Sequence, residues 1–92
     1  MRATRIYLID DHHVLRQAIA TMLETEGGME VIGQSGEAQS AIGEIADRQP
    51  EIVIVDLKMP GMGGLAAIGE IARVAPRTGI IVFTMYDNPA YV

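Results

Sequence analysis

The sequence predicts an α/β fold in which helices cover both faces of a doubly wound parallel sheet. Short β-branched segments alternate with amphipathic helical segments along the chain, an order typical of parallel strands joined by helical crossovers. The clearest strand, residues 52–55, is apolar at every position, as expected of a strand buried on both faces. With 92 residues, 49% of them hydrophobic, the chain has the size of one domain and is too apolar for an intrinsically disordered protein.

The first quarter of the chain predicts a strand followed by a helix. Residues 6–9 form a short apolar strand that stops at Asp10. A helix over residues 14–24 follows, because apolar side chains recur every four residues in two adjacent rows. The rows are Val14, Ala18 and Met22, and Leu15, Ile19 and Leu23. Gly27 and Gly28 end this helix.

The second quarter predicts another strand and helix. Residues 30–33 form a short strand around Val31 and Ile32. The helix that follows ends before Pro50, since the residue preceding a proline disfavours helical backbone. One of its faces carries Ala38, Ala41, Ile42 and Ile45.

The remaining elements repeat this alternation. After the strand at residues 52–55, the glycines and proline of residues 59–64 predict a loop. A third amphipathic helix carries Leu65, Ile68, Ile71, Ala72 and Ala75 and closes at Pro76. Residues 79–83 form a fourth strand, and residues 87–89 (Asp-Asn-Pro) predict the start of a further helix.

Polar residues follow three of the four predicted strands. Asp10 and Asp11 follow the first, Asp56 the third and Thr84 the fourth. Sites in open parallel sheets lie beyond the carboxyl ends of the strands, so these side chains are expected in one crevice. Carboxylates gathered there repel one another unless a cation joins them, and Mg²⁺ is the natural partner. A carboxylate such as Asp56 can also be a nucleophile toward a phosphoryl group; the alternative for any one such aspartate, Asp11 in particular, is a helix cap.

Neither the histidines nor the glycines form a recognisable cofactor motif. His12 and His13 are adjacent at a helix start and face different directions, which favours structural or solvated roles over a metal-binding pair. Gly61, Gly63 and Gly64 follow neither a dinucleotide-binding nor a Walker A pattern, so turn geometry explains them better.

Composition excludes several classes of protein. Without cysteine, the chain has no disulfide or thiolate zinc site. A net charge of −5 argues against direct nucleic-acid binding. No apolar run approaches the ~20 residues that span a bilayer, and no signal peptide is present, so we expect a cytoplasmic protein that binds no membrane.

Taken together, the motifs resemble the receiver domains of bacterial two-component response regulators. The motifs are the Asp10-Asp11 pair, residues 52–56 (Ile-Val-Ile-Val-Asp), residues 58–65 (Lys-Met-Pro-Gly-Met-Gly-Gly-Leu) and residues 82–84 (Val-Phe-Thr). Residues 11–16 and 59–65 look most like receivers attached to a LuxR-type helix-turn-helix output domain, although His13 and Ala66 replace a common proline and glutamate. The resemblance implies a flavodoxin-like sheet of strand order 2-1-3-4, cut short at its carboxyl end.

The resemblance also implies residue roles. Asp56 would accept a phosphoryl group from the phosphohistidine of a sensor histidine kinase. Asp11, Asp56 and the Lys58 carbonyl would bind Mg²⁺ directly, and Asp10 through water. Thr84 would be the switch hydroxyl, while Lys58 and Tyr86 would tune the lifetime of the phosphoryl group. Such a domain catalyses only its own phosphorylation and dephosphorylation, and its longer parent would regulate transcription.

Receivers of this kind continue beyond the fourth strand. Residues 1–92 would be a receiver lacking most of the fourth helix, the fifth strand with its phosphoryl-binding lysine and aromatic switch residue, and the fifth helix. The fourth strand would then be an uncovered edge. Three explanations stay open: the sequence is part of a longer chain, it is a deliberate truncation, or it forms a homodimer by edge pairing or swapping. For an intact 92-residue chain we expect association in solution.

Two alternatives belong to other classes. A Mg²⁺-dependent phosphatase resembling haloacid dehalogenases has an aspartate nucleophile, but Lys58 stands where its second aspartate should be. A cofactor-binding flavodoxin-like domain, such as a cobalamin binder, is suggested by two Asp-x-His pairs, Asp10 with His12 and Asp11 with His13. The glycine of that motif is missing in both cases, because Leu15 or Arg16 stands at its position.

Overall fold

The computed structural model describes residues 2–57 and 63–83 of the chain. These residues form strands and helices in strict alternation. In chain order they are β1 (Thr4–Ile9), α1 (His13–Glu26), β2 (Met29–Ser35), α2 (Ala38–Arg48), β3 (Ile52–Asp56), α3 (Gly64–Val74) and β4 (Gly79–Phe83). The helix start at residues 87–89 and most of the loop at residues 59–64 lie outside the described residues, and α3 already begins at the last residue of that predicted loop.

All four strands are parallel and lie in the order β2-β1-β3-β4, which confirms the predicted 2-1-3-4 sheet. Residues alternate between the two faces along β1. Ile6 and Leu8 pack with Ala20 of α1, whereas Tyr7 and Ile9 pack with α2 and α3. Burial on both faces explains why residues 52–55 of β3 are apolar at every position and why β1 carries Ile6, Leu8 and Ile9.

Helix α1 packs on the sheet with only one of its two predicted apolar rows. Ile19 and Leu23 contact the core around Ile6 and Leu8. Val14 and Met22, which belong to the other row, are exposed. The two rows lie side by side on the helix, so the sequence period predicts the helix without deciding which row faces the sheet.

The buried face of α3 matches the predicted one in part. Ile68, Ile71 and Ala75 pack in the core as predicted. Leu65 and Ala72 are exposed instead, and Gly64 and Ala67 are buried. The small residues lie where the helix approaches β3 most closely: the Gly64 N–H donates to the Leu57 carbonyl at 3.1 Å. Side-chain size, rather than hydrophobicity, therefore selects the face at the start of this helix.

Tyr7 is a fully buried polar residue whose ring lies against β2. The register between β1 and β2 shifts between Ile6 and Tyr7, and a Cβ at Gly33 would lie 2.5 Å from the Tyr7 ring. Burial, followed by the nearby Glu44 carboxylate, raises the pKa of Tyr7 to about 12. The phenol therefore stays protonated and acts as a core residue.

Gln49 ends α2 in place of a glycine. Its backbone is left-handed, with φ of 46°, and its N–H donates to the Ile45 carbonyl at 2.9 Å. The side-chain amide donates to the carbonyls of Ala46 at 2.9 Å and Val74 at 3.0 Å. One residue thus closes α2 and ties its end to the end of α3, directly before Pro50 as predicted.

Within the described ranges, no helix is both long and apolar enough to cross a membrane.

Candidate metal centre

The two central strands bring Asp10 and Asp56 together at the carboxyl edge of the sheet. Ile9 of β1 pairs with Val55 of β3, so the next residues of the two strands are neighbours. Each aspartate is only 1% exposed. The Asp10 N–H donates to the Ser35 carbonyl at 3.0 Å, which fixes the end of β1 against β2. Two carboxylates that are buried beside each other need positive charge nearby.

Asp11 and His12 complete a cluster with these aspartates. The His12 Nδ1 atom lies 3.1 Å from Asp10 Oδ1, 3.2 Å from Asp11 Oδ1 and 3.8 Å from Asp56 Oδ2. One ligand atom from each of the four residues lies within 4.8 Å of every other. The structure therefore brings together the three aspartates that the sequence predicts and adds an imidazole.

The carboxylates raise the pKa of His12. The main cause is the hydrogen bond between its ring and the Asp10 carboxylate, and the negative charge of Asp11 adds to it. When protonated, the ring supplies one positive charge to the carboxylates. The ring is 60% exposed, so water screens part of this attraction.

The helix-cap interpretation of Asp11 is not supported by the geometry. The N-cap residue of α1 is His12, and its side chain makes no capping hydrogen bond. The Asp11 carboxylate instead faces the His12 ring. Asp10 organises this turn, because its Oδ1 accepts the His12 backbone N–H at 2.9 Å.

Arg16 anchors the end of β1 from the first turn of α1, a role that the sequence does not predict. Its Nη1 donates to the Asp10 carbonyl at 2.6 Å, and its Nε donates to the Gln34 side chain of β2 at 3.2 Å. The only hint in the sequence is that Arg16 stands five residues after the aspartate pair, near the start of the predicted helix. His13 points toward Arg16, with Nδ1 3.1 Å from Nη2, and not into the cluster.

The donor atoms fit a hard divalent cation. Carboxylate oxygens are the ligands that Mg²⁺ prefers. The Asp10 Oδ2 atom is buried and has no hydrogen-bond partner within the described residues, and a buried oxygen of this kind is costly unless a partner is present. A water held by a cation at Asp11 and Asp56 would be that partner.

The other predicted site residues lie outside the described residues. Lys58, Thr84 and Tyr86 are in this group. The strand that leads to Thr84 is described. Its last residue, Phe83, pairs with Asp56, and the Leu57 N–H donates to the Phe83 carbonyl at 2.8 Å.

Comparison with known proteins agrees with this geometry. The family profile for the response regulator receiver domain matches residues 6–92. The chain belongs to the response regulator receiver family. The transcriptional regulatory protein YhcZ of Bacillus subtilis is 35% identical over 96% of this chain.

Solved receiver structures superimpose closely on this receiver. A DNA-binding response regulator of the LuxR family from Staphylococcus aureus has a TM-score of 0.83 and 30% identity, over 96% of this chain and 73% of that one. The isolated receiver domain of RcsB from Salmonella enterica, solved with the phosphomimetic BeF₃⁻, has a TM-score of 0.84 and 30% identity, over 97% of this chain and 67% of that one.

The receiver covers only part of its relatives. The chain spans about two fifths of YhcZ, 41% of its length. Receivers are signalling domains that bind Mg²⁺ and interact with sensor histidine kinases. The family assignment therefore decides against the phosphatase-like and cobalamin-binding alternatives.

Proposed function

We propose that this receiver accepts a phosphoryl group on Asp56. The observation that carries the proposal is the position of Asp56: a carboxylate that is 1% exposed, at the end of a central strand, with two further aspartates beside it. The RcsB receiver, whose structure was solved in the presence of a phosphomimetic, supports the same chemistry.

The reaction is a transfer between two nucleophiles. An Asp56 oxygen attacks the phosphorus of a phosphohistidine on a sensor histidine kinase. The new O–P bond gives an acyl phosphate, while the N–P bond breaks and the departing imidazole takes up a proton. Hydrolysis of the acyl phosphate by water returns the carboxylate, so the domain catalyses its own phosphorylation and dephosphorylation.

The aspartates hold the cation for this transfer. Asp11, Asp56 and the Lys58 carbonyl would bind Mg²⁺ directly, with Asp10 binding through water. When bound, Mg²⁺ supplies neutralisation of the negative charge on the phosphoryl oxygens. The added phosphoryl charge, about two negative units, then attracts the Thr84 hydroxyl, which acts as the switch. Lys58 and Tyr86 tune how long the phosphoryl group survives on Asp56.

The parent protein is a transcription regulator with a helix-turn-helix output domain of the LuxR type. YhcZ and the Staphylococcus aureus regulator, whose names describe transcriptional regulation and DNA binding, support this proposal. DNA binding resides outside this acidic chain, and the protein acts in the bacterial cytoplasm.

Intact mass spectrometry tests phosphorylation directly. With acetyl phosphate and Mg²⁺, the chain is expected to gain one phosphoryl adduct. Asp56→Asn removes the nucleophile and should abolish the adduct completely. The matched control is Asp47→Asn on the exposed side of α2, which should keep it. An adduct that persists in Asp56→Asn would place the modification elsewhere, and a folded wild type without any adduct would contradict the proposal for this chain.

Self-association through β4 is a separate expectation for the 92-residue chain. In the described sheet β4 is an edge strand, with Ile81 52% and Val82 42% exposed. An apolar edge strand pairs readily with another chain, either directly or by swapping. Light scattering across micromolar concentrations should show dimers, and Ile81→Lys should shift the population toward monomer. A wild type that stays monomeric throughout this range would exclude the interaction.

A further inference from the structure

His12 differs from the other members of the cluster because it offers a nitrogen. Its Nδ1 atom faces Asp10, Asp11 and Asp56 at 3.1, 3.2 and 3.8 Å. Its backbone N–H is held by Asp10 Oδ1, and its position as the N-cap of α1 fixes the backbone. The ring therefore lies beside the carboxylates as a consequence of how the helix begins.

One of these separations is that expected of two atoms that bind the same cation. Ligands about 2.1 Å from a metal and at right angles to one another lie about 3.0 Å apart. The distance from Nδ1 to Oδ1 of Asp11, 3.2 Å, is close to this value, whereas the 3.1 Å contact with Asp10, which would bind through water, is a hydrogen bond. The buried Asp10 Oδ2, which has no hydrogen-bond partner in the described part of the chain, is a second and independent indication that a ligand completes this site.

We propose that His12 Nδ1 is a direct ligand of the cation held by Asp10, Asp11 and Asp56. The inference rests on the proposed function, in which these carboxylates bind a divalent cation. An imidazole donor favours transition metals over Mg²⁺, because nitrogen suits the softer ions while Mg²⁺ selects oxygen. The site is then a mixed nitrogen and oxygen site that prefers Co²⁺ to Mg²⁺.

His13 provides a matched control one residue away. It is also an exposed histidine at the start of α1, but its Nδ1 atom lies beside Arg16. His12→Ala and His13→Ala therefore remove the same group from the same turn, and only the first removes a nitrogen that faces the carboxylates. Neither change touches a buried residue, and circular dichroism verifies that both variants fold.

Pulsed electron paramagnetic resonance of bound Mn²⁺ detects the nitrogen itself. The wild type and His13→Ala should show ¹⁴N modulation from a coordinated imidazole, since a metal binds the deprotonated ring nitrogen, and His12→Ala should lose it. By calorimetry, His12→Ala should weaken Co²⁺ binding by about tenfold or more, with a much smaller change for Mg²⁺.

The outcomes separate this inference from the function on which it rests. A wild type that binds Mn²⁺ without ¹⁴N modulation, or modulation that survives in His12→Ala, overturns the assignment of His12. The phosphoryl adduct on Asp56 would be unaffected by that result. A wild type that binds neither Mn²⁺ nor Mg²⁺ overturns the metal site and the inference together.

Discussion

Replacing Gly64 with alanine is expected to destabilise the receiver by about 2–3 kcal/mol, the cost of forcing an extra group into a filled interior. A Cβ at this position would lie 2.5 Å from the Leu57 Cα atom and also overlap the Leu57 carbonyl. These are backbone atoms at the end of β3, so they cannot move aside as a flexible side chain would. Either α3 or the strand end must shift.

The same change carries a functional consequence. Leu57 follows Asp56 directly, and the Gly64 N–H donates to its carbonyl. A shift between α3 and Leu57 therefore displaces the strand end that positions the Asp56 carboxylate. We expect Gly64→Ala to lower divalent-cation affinity in addition to stability, measured by calorimetry on the fraction that remains folded.

Gly69 is the matched control in the same helix. A Cβ there meets nothing within 4 Å, and the residue is exposed. Gly69→Ala should stabilise the receiver by about 0.5–1 kcal/mol, because alanine loses less backbone freedom in a helix. Urea unfolding followed by circular dichroism measures both variants. Equal changes in the free energy of unfolding for the two substitutions would show that the close approach of α3 to Leu57 does not limit the size of the side chain at residue 64.

Mg²⁺ is expected to reverse the order of stability between the wild type and Asp56→Asn. Without a divalent cation, Asp10, Asp11 and Asp56 repel one another, so Asp56→Asn should be at least as stable as the wild type. A cation that binds only the folded state adds about 2.7 kcal/mol at 100 times its Kd. The wild type should gain this amount, and Asp56→Asn should lose most of the gain.

Thermal unfolding of the wild type and of Asp56→Asn, each in EDTA and in saturating Mg²⁺, provides the four stabilities to be compared. Asp47→Asn is again the control, since it removes an exposed carboxylate of α2 and should respond to Mg²⁺ as the wild type does. Parallel stabilisation of the wild type and Asp56→Asn by Mg²⁺ would mean that the cation binds elsewhere on the chain. Loss of the response in Asp47→Asn would point to a general effect of charge.

Much of the candidate site follows from the order of strands and polar residues. Asp10 and Asp56 each follow an apolar strand, and parallel strands end at the same edge of a sheet. Once β1 and β3 are neighbours, the two carboxylates have to meet. Thr84, at the end of the fourth strand, is predicted by the same argument and remains a prediction.

The order of strands and polar residues along the chain does not predict the roles of His12 and Arg16. Adjacent histidines look equivalent in a sequence, yet His12 is the N-cap of α1 and faces the carboxylates, while His13 lies in the first turn beside Arg16. The difference depends on the backbone angles at one helix start. Arg16 acts on the carbonyl of Asp10, and backbone acceptors carry no signature in the sequence.

The sequence by itself determined the alternation of strands and helices, the apolar runs of β1 and β3, and the aspartates at the strand ends, because each depends on local periodicity and chain order. It also predicted a buried fourth strand, but β4 is largely exposed in the described sheet. Only the tertiary structure decided which rows of α1 and α3 pack on the sheet and which histidine joins the carboxylates. Those choices depend on distances of a few ångströms between elements far apart in the chain. At Gly64, for example, contact with Leu57 selects a small residue, and a period of 3.6 residues holds no information about that contact.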